Sequence, residues 1–417
     1  MNSLTIDRSV LEGEVRISGA KNSALRLLAA SLLTDQSVTL HNYPSSLLDA
    51  EIHVGMLRAL GKRCSLQGTS SIVIEEPGDI ASVLEWPDRS IRNTLLILGA
   101  LTARLGRGAV PLPGGCQLGD RRYDLHEMLL RRLGAQVWEE GGLLHAEAPA
   151  GGLVGTDIRL PIRSTGATEN ALLAGMLAQG TTRIWNPHIR PEILDLIAML
   201  RQMGGHITVY GQEHIEVTGV DQFKPVSHSV IPDNMEALTW LIGAVMTGGD
   251  VELHNFPDRD IEVALIHLRE SGARFFRGEH SLIVRGGRCY PVEISTGPHP
   301  GINSDVQPII AAFATCATGE STIVDLRFPG RYGYVREMEK MGLAYRIEGN
   351  LLRIEGQGGG LSGAHVQALD LRAGAALTLC GMVANGPTVI QDAWQIDRGY
   401  DRFTEKLAAL GARFEAR

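Results

Sequence analysis

Glycines recur along this chain at a spacing that dictates its architecture. Gly61, Gly134, Gly204, Gly272, Gly342 and Gly411 are separated by 73, 70, 68, 70 and 69 residues. Each closes a segment whose apolar residues fall three and four apart, as in AEIHVGMLRALG, YDLHEMLLRRLG and FTEKLAALG. Each therefore reads as the left-handed C-terminal cap of an amphipathic helix, a position that glycine takes without a Cβ clash. An alternating run follows the cap (RCSLQ, AQVWEE, HITVYG, ARFFRG) and predicts a strand. Ahead of each amphipathic helix lies a second helical segment, apolar nearly all round (ALLAGMLA, PIIAAFATCA), which predicts burial rather than a place on a surface. The unit reads α-β-α-β-β, and the chain holds six.

A unit of this size cannot cover its own apolar helix. A solenoid would do so by stacking, but its repeats are shorter and its ends carry polar caps. The expectation is an α/β fold in two lobes, each an inside-out α/β barrel of three repeats with helices buried inside and strands wrapped outside. The lobes are expected at 21–229 and at 230–417, the latter completed by 1–20, where LTIDRSVLEGEVRIS reads as a lone strand.

Composition narrows the function classes. A net charge of −8 argues against a general nucleic-acid binder. No run of apolar residues is long enough to span a membrane, and LRLLAASLL after Lys21 lacks the context of a cleaved leader. Five cysteines, an odd number without any C-x-x-C pair, predict reduced thiols in a cytoplasm and no zinc site.

Chemistry is expected where the repeats differ from one another. Four places stand out: GAKNS (19–23), PGGCQLGDRRYDLH (113–126), RSTGATEN (163–170), and PHPGINSD (298–305) with IDRGYDR (396–402). Cys116 sits on a Gly- and Pro-rich turn beside Arg121 and Arg122, which favour a thiolate on a loop able to close; an incidental exposed thiol is the plain alternative. RSTGATEN reads as a helix start capped by Ser164 or Thr168, and also as an anion site. Asp305 could be a helix N-cap, and Arg398 could merely pair with Asp397 or Asp401 on a solvated face. His126 and His299 read as structural or substrate-adjacent, neither as catalytic.

Together, in order and along the whole chain, these stretches resemble the UDP-N-acetylglucosamine enolpyruvyl transferase family. The resemblance implies two lobes of three repeats, and transfer of the enolpyruvyl group of phosphoenolpyruvate to the sugar 3-hydroxyl with release of phosphate. It implies no metal and no cofactor, and partners limited to phosphoenolpyruvate and a uridine nucleotide-sugar, in cytoplasmic peptidoglycan synthesis. Phosphoenolpyruvate carries several negative charges, and guanidinium forks match its carboxylate and phosphate. Lys21, Arg121 and Arg398 match its ligands, with Arg92, Arg331 and Arg372 in support. Asn22 and Asp305 match residues that hold the acceptor sugar, with Asp305 as base. Asp124 and Leu125 fall in the region used for the uridine base, and Ser164, Thr165 and Gly166 in the diphosphate site. Cys116 matches the loop cysteine implicated as general acid, in a covalent adduct, in product release and in fosfomycin sensitivity. The catalytic set so implied is Cys116, Asp305, Lys21 and Arg398.

The chain also departs from that pattern. YPSSLLDAE, spanning Ser45 to Asp49, lacks the family's lysines; Asn234 replaces an arginine; Ile162 and Arg163 precede STG; Arg327 and Pro329 alter the fifth unit. These changes touch the acceptor side. They leave open a paralogue acting on another uridine nucleotide or sugar nucleotide. A catalytically silent binding homologue is the third reading, against which Cys116, Asp305 and the basic donor ligands argue.

Overall fold

A computed structural model describes residues 1–89, 91–113 and 123–417. The chain forms two compact units: a first of Gly19–Ser45 and Asp49–Ile231, and a second of Met1–Ser18, Ser46–Leu48 and Pro232–Arg417.

The first unit carries α1 (Lys21–Ala30), α2 (Leu48–Ala59, apart from Leu48), α3 (Thr94–Leu105), α4 (Asp124–Arg132), α5 (Thr165–Gly175) and α6 (Pro191–Gln202). The second carries α7 (Asn234–Thr247), α8 (Glu262–Glu270), α9 (Gln307–Cys316), α10 (Gly333–Glu339), α11 (Leu371–Val383), α12 (Trp394–Asp397) and α13 (Phe403–Ala409). The segments expected to be buried are α1, α3, α5, α7, α9 and α11. In α9 every residue is buried, and in α11 every residue from Arg372 onward. Inside such helices a hydroxyl must find a local acceptor. Thr102, Thr239 and Thr378 each donate to the carbonyl four residues back.

All six spacing glycines have positive φ, from 75° at Gly411 to 109° at Gly204. Each closes the same double bond pattern. Gly61 N–H reaches Arg58 O while Lys62 N–H reaches Leu57 O, and the pair recurs at Gly134, Gly204, Gly272, Gly342 and Gly411. This is the Schellman arrangement, which satisfies the orphan carbonyls of a helix end and requires the left-handed backbone that glycine adopts cheaply. The repeat seen in the sequence is thus a repeated chain reversal.

The first five reversals each feed an antiparallel hairpin that pairs with the strand following the buried helix; after Gly411 a single strand, Phe414–Ala416, pairs with Ser3–Ile6 instead. A parallel strand from elsewhere completes the sheet. In the first unit Val226–Ser229 returns to pair with Val38–His41 of the first repeat, closing the set of three. The second repeat has only a three-stranded sheet, with Val83 bridging Ala109 in the parallel position. In the second unit the N-terminal segment is two strands, not the single one expected. Glu12–Arg16 pairs parallel with Asp250–His254, and Ser3–Ile6 lies between Thr388–Gln391 and Phe414–Ala416 in another sheet. The break falls at the intervening residues 7–11, where Ser9 N–H donates to Met382 O, and Glu12, opening the second strand, donates its N–H to Leu410 O.

Ser46 is held within the second unit. Its N–H and hydroxyl both donate to Asp401 Oδ1, at 2.9 and 2.8 Å, and Ser18 donates to the other oxygen of the same carboxylate. No helix among the described residues is long and apolar enough to cross a membrane.

Candidate active site

The buried helices begin where the sequence placed chemistry. Lys21 and Asn22 open α1, Arg92 precedes α3, Ser164 to Gly166 open α5, Asp305 precedes α9, and Arg372 is in the first turn of α11. Helix starts leave backbone N–H groups unpaired, which makes them natural sites for anionic ligands and for capping carboxylates.

In the first unit, Lys21 Nζ pairs with Asp49 at 2.7 Å, both side chains largely buried. Asn22 is half-buried on the next position. Behind them, Ser23 donates to Asp195, whose other oxygen meets His228 Nε2 at 2.7 Å. Arg26, one turn on, pairs with Glu169 of α5 at 2.7 Å, tying two buried helices together. Burial raises the Glu169 pKa against the pull of Arg26 and Arg190, and its Oε2 makes no hydrogen bond among the described residues.

Ser164 is the N-cap of α5, its hydroxyl accepting from Ala167 N–H. Thr168, the other capping candidate, instead donates to Ser164 O and accepts from His188 N–H. Thr165 Oγ1 meets His188 Nδ1 at 2.8 Å, a partner the sequence did not announce. His126 of α4 is buried against the same helix, and Asn170 meets its Nδ1 at 3.0 Å. Burial, aided by Arg92, lowers the His126 pKa to about 3, so the ring is neutral. Asp124 is exposed and Leu125 half-buried at the start of α4. Cys116 and Arg121 lie outside the described residues.

In the second unit, three aspartates stand at three helix starts. Asp233 caps α7 through Met235 and Glu236 N–H, and Asp370 caps α11 through Arg372 and Ala373 N–H. Asp305 is not a cap: it lies in a short 3-10 turn, Ser304–Val306, ahead of α9, and Asn303 caps that turn by accepting from Asp305 N–H. The Asp305 carboxylate instead meets Arg331 at 2.9 Å, and Arg331 also reaches Asp370 Oδ2 at 3.4 Å. Burial alone would lower the Arg331 pKa, but the two carboxylates outweigh it and raise the value, so the guanidinium is a fixed cation.

Arg372 is 2% exposed, with its guanidinium 5.1 Å from the centre of the Tyr400 ring. Its Nε and Nη1 are buried without a hydrogen-bond partner among the described residues, as is Arg331 Nε. Unsatisfied donors on a buried cation are costly and rarely idle. Arg398 donates to Gln395 at 3.0 Å, Asp397 meets the N-terminal amine, and Asp401 holds Ser18 and Ser46.

Two other features stand apart. A surface pocket of about 310 Å³ is lined by Arg201, His206, Thr208, Glu216 and Thr218, none of them a residue expected at the site. Glu14, Glu252 and His254 form the one group among the described residues able to hold a metal, on the paired strands Glu12–Arg16 and Asp250–His254. The four described cysteines, Cys64, Cys289, Cys316 and Cys380, are all buried, and burial pushes the Cys289 thiol up to about 12.

Comparison with known proteins identifies the family. Residues 7–407 match the family model described as EPSP synthase (3-phosphoshikimate 1-carboxyvinyltransferase). UDP-N-acetylglucosamine 1-carboxyvinyltransferase 2 of Carboxydothermus hydrogenoformans is 41% identical over 409 residues, covering 97% of this chain and 96% of the relative. The UDP-N-acetylglucosamine 1-carboxyvinyltransferase of Mycolicibacterium paratuberculosis is 39% identical over 411 residues, with the same coverage. Among solved structures, the enolpyruvyl transferase NikO from Streptomyces tendae superposes with a TM-score of 0.88 at 23% identity, over 99% of this chain and 98% of that one. EPSP synthase from Acinetobacter baumannii gives 0.77 at 19% identity, over the whole of both chains. At such identities the structures speak for the mixed α/β fold alone. The full-length relatives go further: the chain belongs to the enolpyruvyl (1-carboxyvinyl) transferase family and is an enzyme of that class.

Proposed function

We propose that this enzyme transfers the enolpyruvyl group of phosphoenolpyruvate to the 3-hydroxyl of UDP-N-acetylglucosamine and releases phosphate. The observation that carries the reading is likeness at about 40% identity, over 97% of the chain, to proteins named for that reaction. Its fold is read as two lobes, 21–229 and 1–20 with 230–417, each an inside-out barrel; the six buried helices beneath six sheets support this. The enzyme acts in the cytoplasm, in peptidoglycan precursor synthesis, a reading that the likeness to its relatives supports.

The chemistry is addition of the sugar oxygen to the vinyl carbon, then elimination of phosphate. Asp305 takes the hydroxyl proton as the oxygen attacks. Arg331, held by Asp305 and Asp370, orients that carboxylate. Lys21, Arg121 and Arg398 neutralise the donor. The unused nitrogens of Arg372 suit an anion in the same way. Cys116 delivers a proton to the methylene carbon as the sugar oxygen adds; the adduct then expels phosphate and returns a methyl proton to the Cys116 thiolate, which restores the vinyl group. Ser164, Thr165 and Gly166 offer the start of α5 to the diphosphate, and Asp124 and Leu125 the uridine side; Asn22 completes the acceptor contacts, and Arg92 supports the donor side.

Arg327, Pro329, Asn234 and the lysine-free Ser45–Asp49 stretch favour a second reading, in which the acceptor is another uridine nucleotide. Phosphate release measured with phosphoenolpyruvate and, in turn, UDP-N-acetylglucosamine, UMP and shikimate 3-phosphate tests both. Release with the first supports the proposal, and release with UMP alone favours the second reading.

A further inference from the structure

His126 is held as a neutral ring with one nitrogen in reserve. It rises from α4 into the interior and is 6% exposed. Asn170 Nδ2 donates to its Nδ1, which leaves the ring proton on Nε2. Asn170 Oδ1 is itself buried without a hydrogen bond among the described residues, so the amide is spent on the imidazole. The proton-bearing Nε2 faces Gly166 in the first turn of α5. A Cβ on Gly166 would lie 3.2 Å from Nε2, tighter than side chains ordinarily pack. Glycine therefore keeps the approach to this nitrogen open, and no described residue accepts its hydrogen.

We propose that His126 is a further acceptor-binding residue, whose Nε2–H, fixed by Asn170, donates to a phosphate oxygen of the acceptor at the start of α5. The inference rests on reading that helix start as the diphosphate site. Three observations converge on an anion there. The α5 N-terminus presents backbone N–H groups. After burial, the larger cause, the nearby Arg92 guanidinium also lowers the imidazole's hold on a second proton, so a positive charge lies close by. On this largely buried ring, an N–H without a hydrogen-bond partner among the described residues stands beside both. A neutral donor suits the position, because it adds direction without competing with Arg92 for the same charge. Asn170 is then a positioning residue, acting through the tautomer it selects.

The test combines kinetics with nitrogen-15 NMR of histidine-labelled enzyme. His126→Leu removes the donor and is expected to raise the KM for UDP-N-acetylglucosamine about tenfold or more. The kcat and the KM for phosphoenolpyruvate should stay within about threefold. His126→Gln retains an N–H donor and should recover most of the loss. At neutral pH the NMR spectrum should show Nε2 protonated and Nδ1 bare, and the Nε2 signal should move when UDP is added but not with phosphoenolpyruvate alone. An unchanged acceptor KM in folded His126→Leu, a proton on Nδ1, or an Nε2 signal indifferent to saturating UDP overturns the inference. If His126→Leu does not fold, His126→Gln and the UDP titration decide it. Failure of the wild-type enzyme to turn over UDP-N-acetylglucosamine would instead strike the functional reading, and the titration still reads His126 directly.

Discussion

Asp370 uses its two oxygens for two different purposes, and substitution can separate them. Oδ1 caps α11 by accepting from Arg372 and Ala373 N–H, each at 2.8 Å, while Oδ2 meets Arg331 at 3.4 Å. Asn is as good an N-cap as Asp, so Asp370→Asn keeps the cap and removes only the charge facing Arg331. Arg331 retains Asp305, so the stability cost of Asp370→Asn should be modest, about 1 kcal/mol. Asp370→Ala loses the cap as well, worth about 1 kcal/mol, and leaves a nearly buried guanidinium with one carboxylate instead of two, for a total of about 2–4 kcal/mol. Asp305→Asn touches no cap; it should cost about as little stability as Asp370→Asn but lower kcat by roughly 100-fold or more, since it removes the proposed base. Urea denaturation and steady-state phosphate release on the three variants check this order. Equal destabilisation by Asp370→Asn and Asp370→Ala would refute the division of labour, as would near-wild-type turnover in Asp305→Asn.

Other perturbations have signs that follow from the same structure. Arg26→Met leaves Glu169 buried beside one cation fewer and should destabilise by about 3–5 kcal/mol at pH 8. Because burial already raises the Glu169 pKa, the folded state binds its proton more tightly than the unfolded state does; stability from this group is present below the unfolded value and is lost as pH rises through the folded one, so the defect should shrink on acidification towards pH 5 in denaturation curves. Gly342→Ala, at φ 92° with open space around it, should cost about 1–2 kcal/mol from backbone strain alone. Gly272→Ala should cost more, since its Cβ would lie 2.2 Å from Arg288 O. Fosfomycin should alkylate Cys116 and leave the four buried thiols, read by intact mass and peptide mapping; Cys116→Asp should abolish labelling yet keep some transfer, and Cys116→Ala or Ser should retain less.

The repeat was legible because every copy solves the same local problem. Ending a helix and reversing into a hairpin needs a left-handed residue, and glycine at that point leaves a trace that survives when all else diverges. The buried helices were legible from their unbroken apolarity, and their starts from the polar residues that such helices cannot otherwise hold. What the sequence concealed depends on distant pairing. Ser3–Ile6 and Glu12–Arg16 look like one strand because their partners, Thr388–Gln391 and Asp250–His254, lie hundreds of residues away. Nothing local marks Ser46 as bound to Asp401, or His188 as bound to Thr165. Asp305 looked like a cap because Asp before an apolar helix usually is one. Asn303, two residues earlier, takes the cap and leaves the carboxylate to Arg331.

The central claim concerns the acceptor, and one measurement bears on it most directly. Purified enzyme is incubated with phosphoenolpyruvate and UDP-N-acetylglucosamine, phosphate release is followed, and the nucleotide product is weighed by mass spectrometry. The account predicts stoichiometric phosphate and a UDP-N-acetylglucosamine carrying one added enolpyruvyl group, with no turnover of shikimate 3-phosphate. Turnover of shikimate 3-phosphate or UMP in its place, or phosphate release without a modified UDP-N-acetylglucosamine, would contradict it.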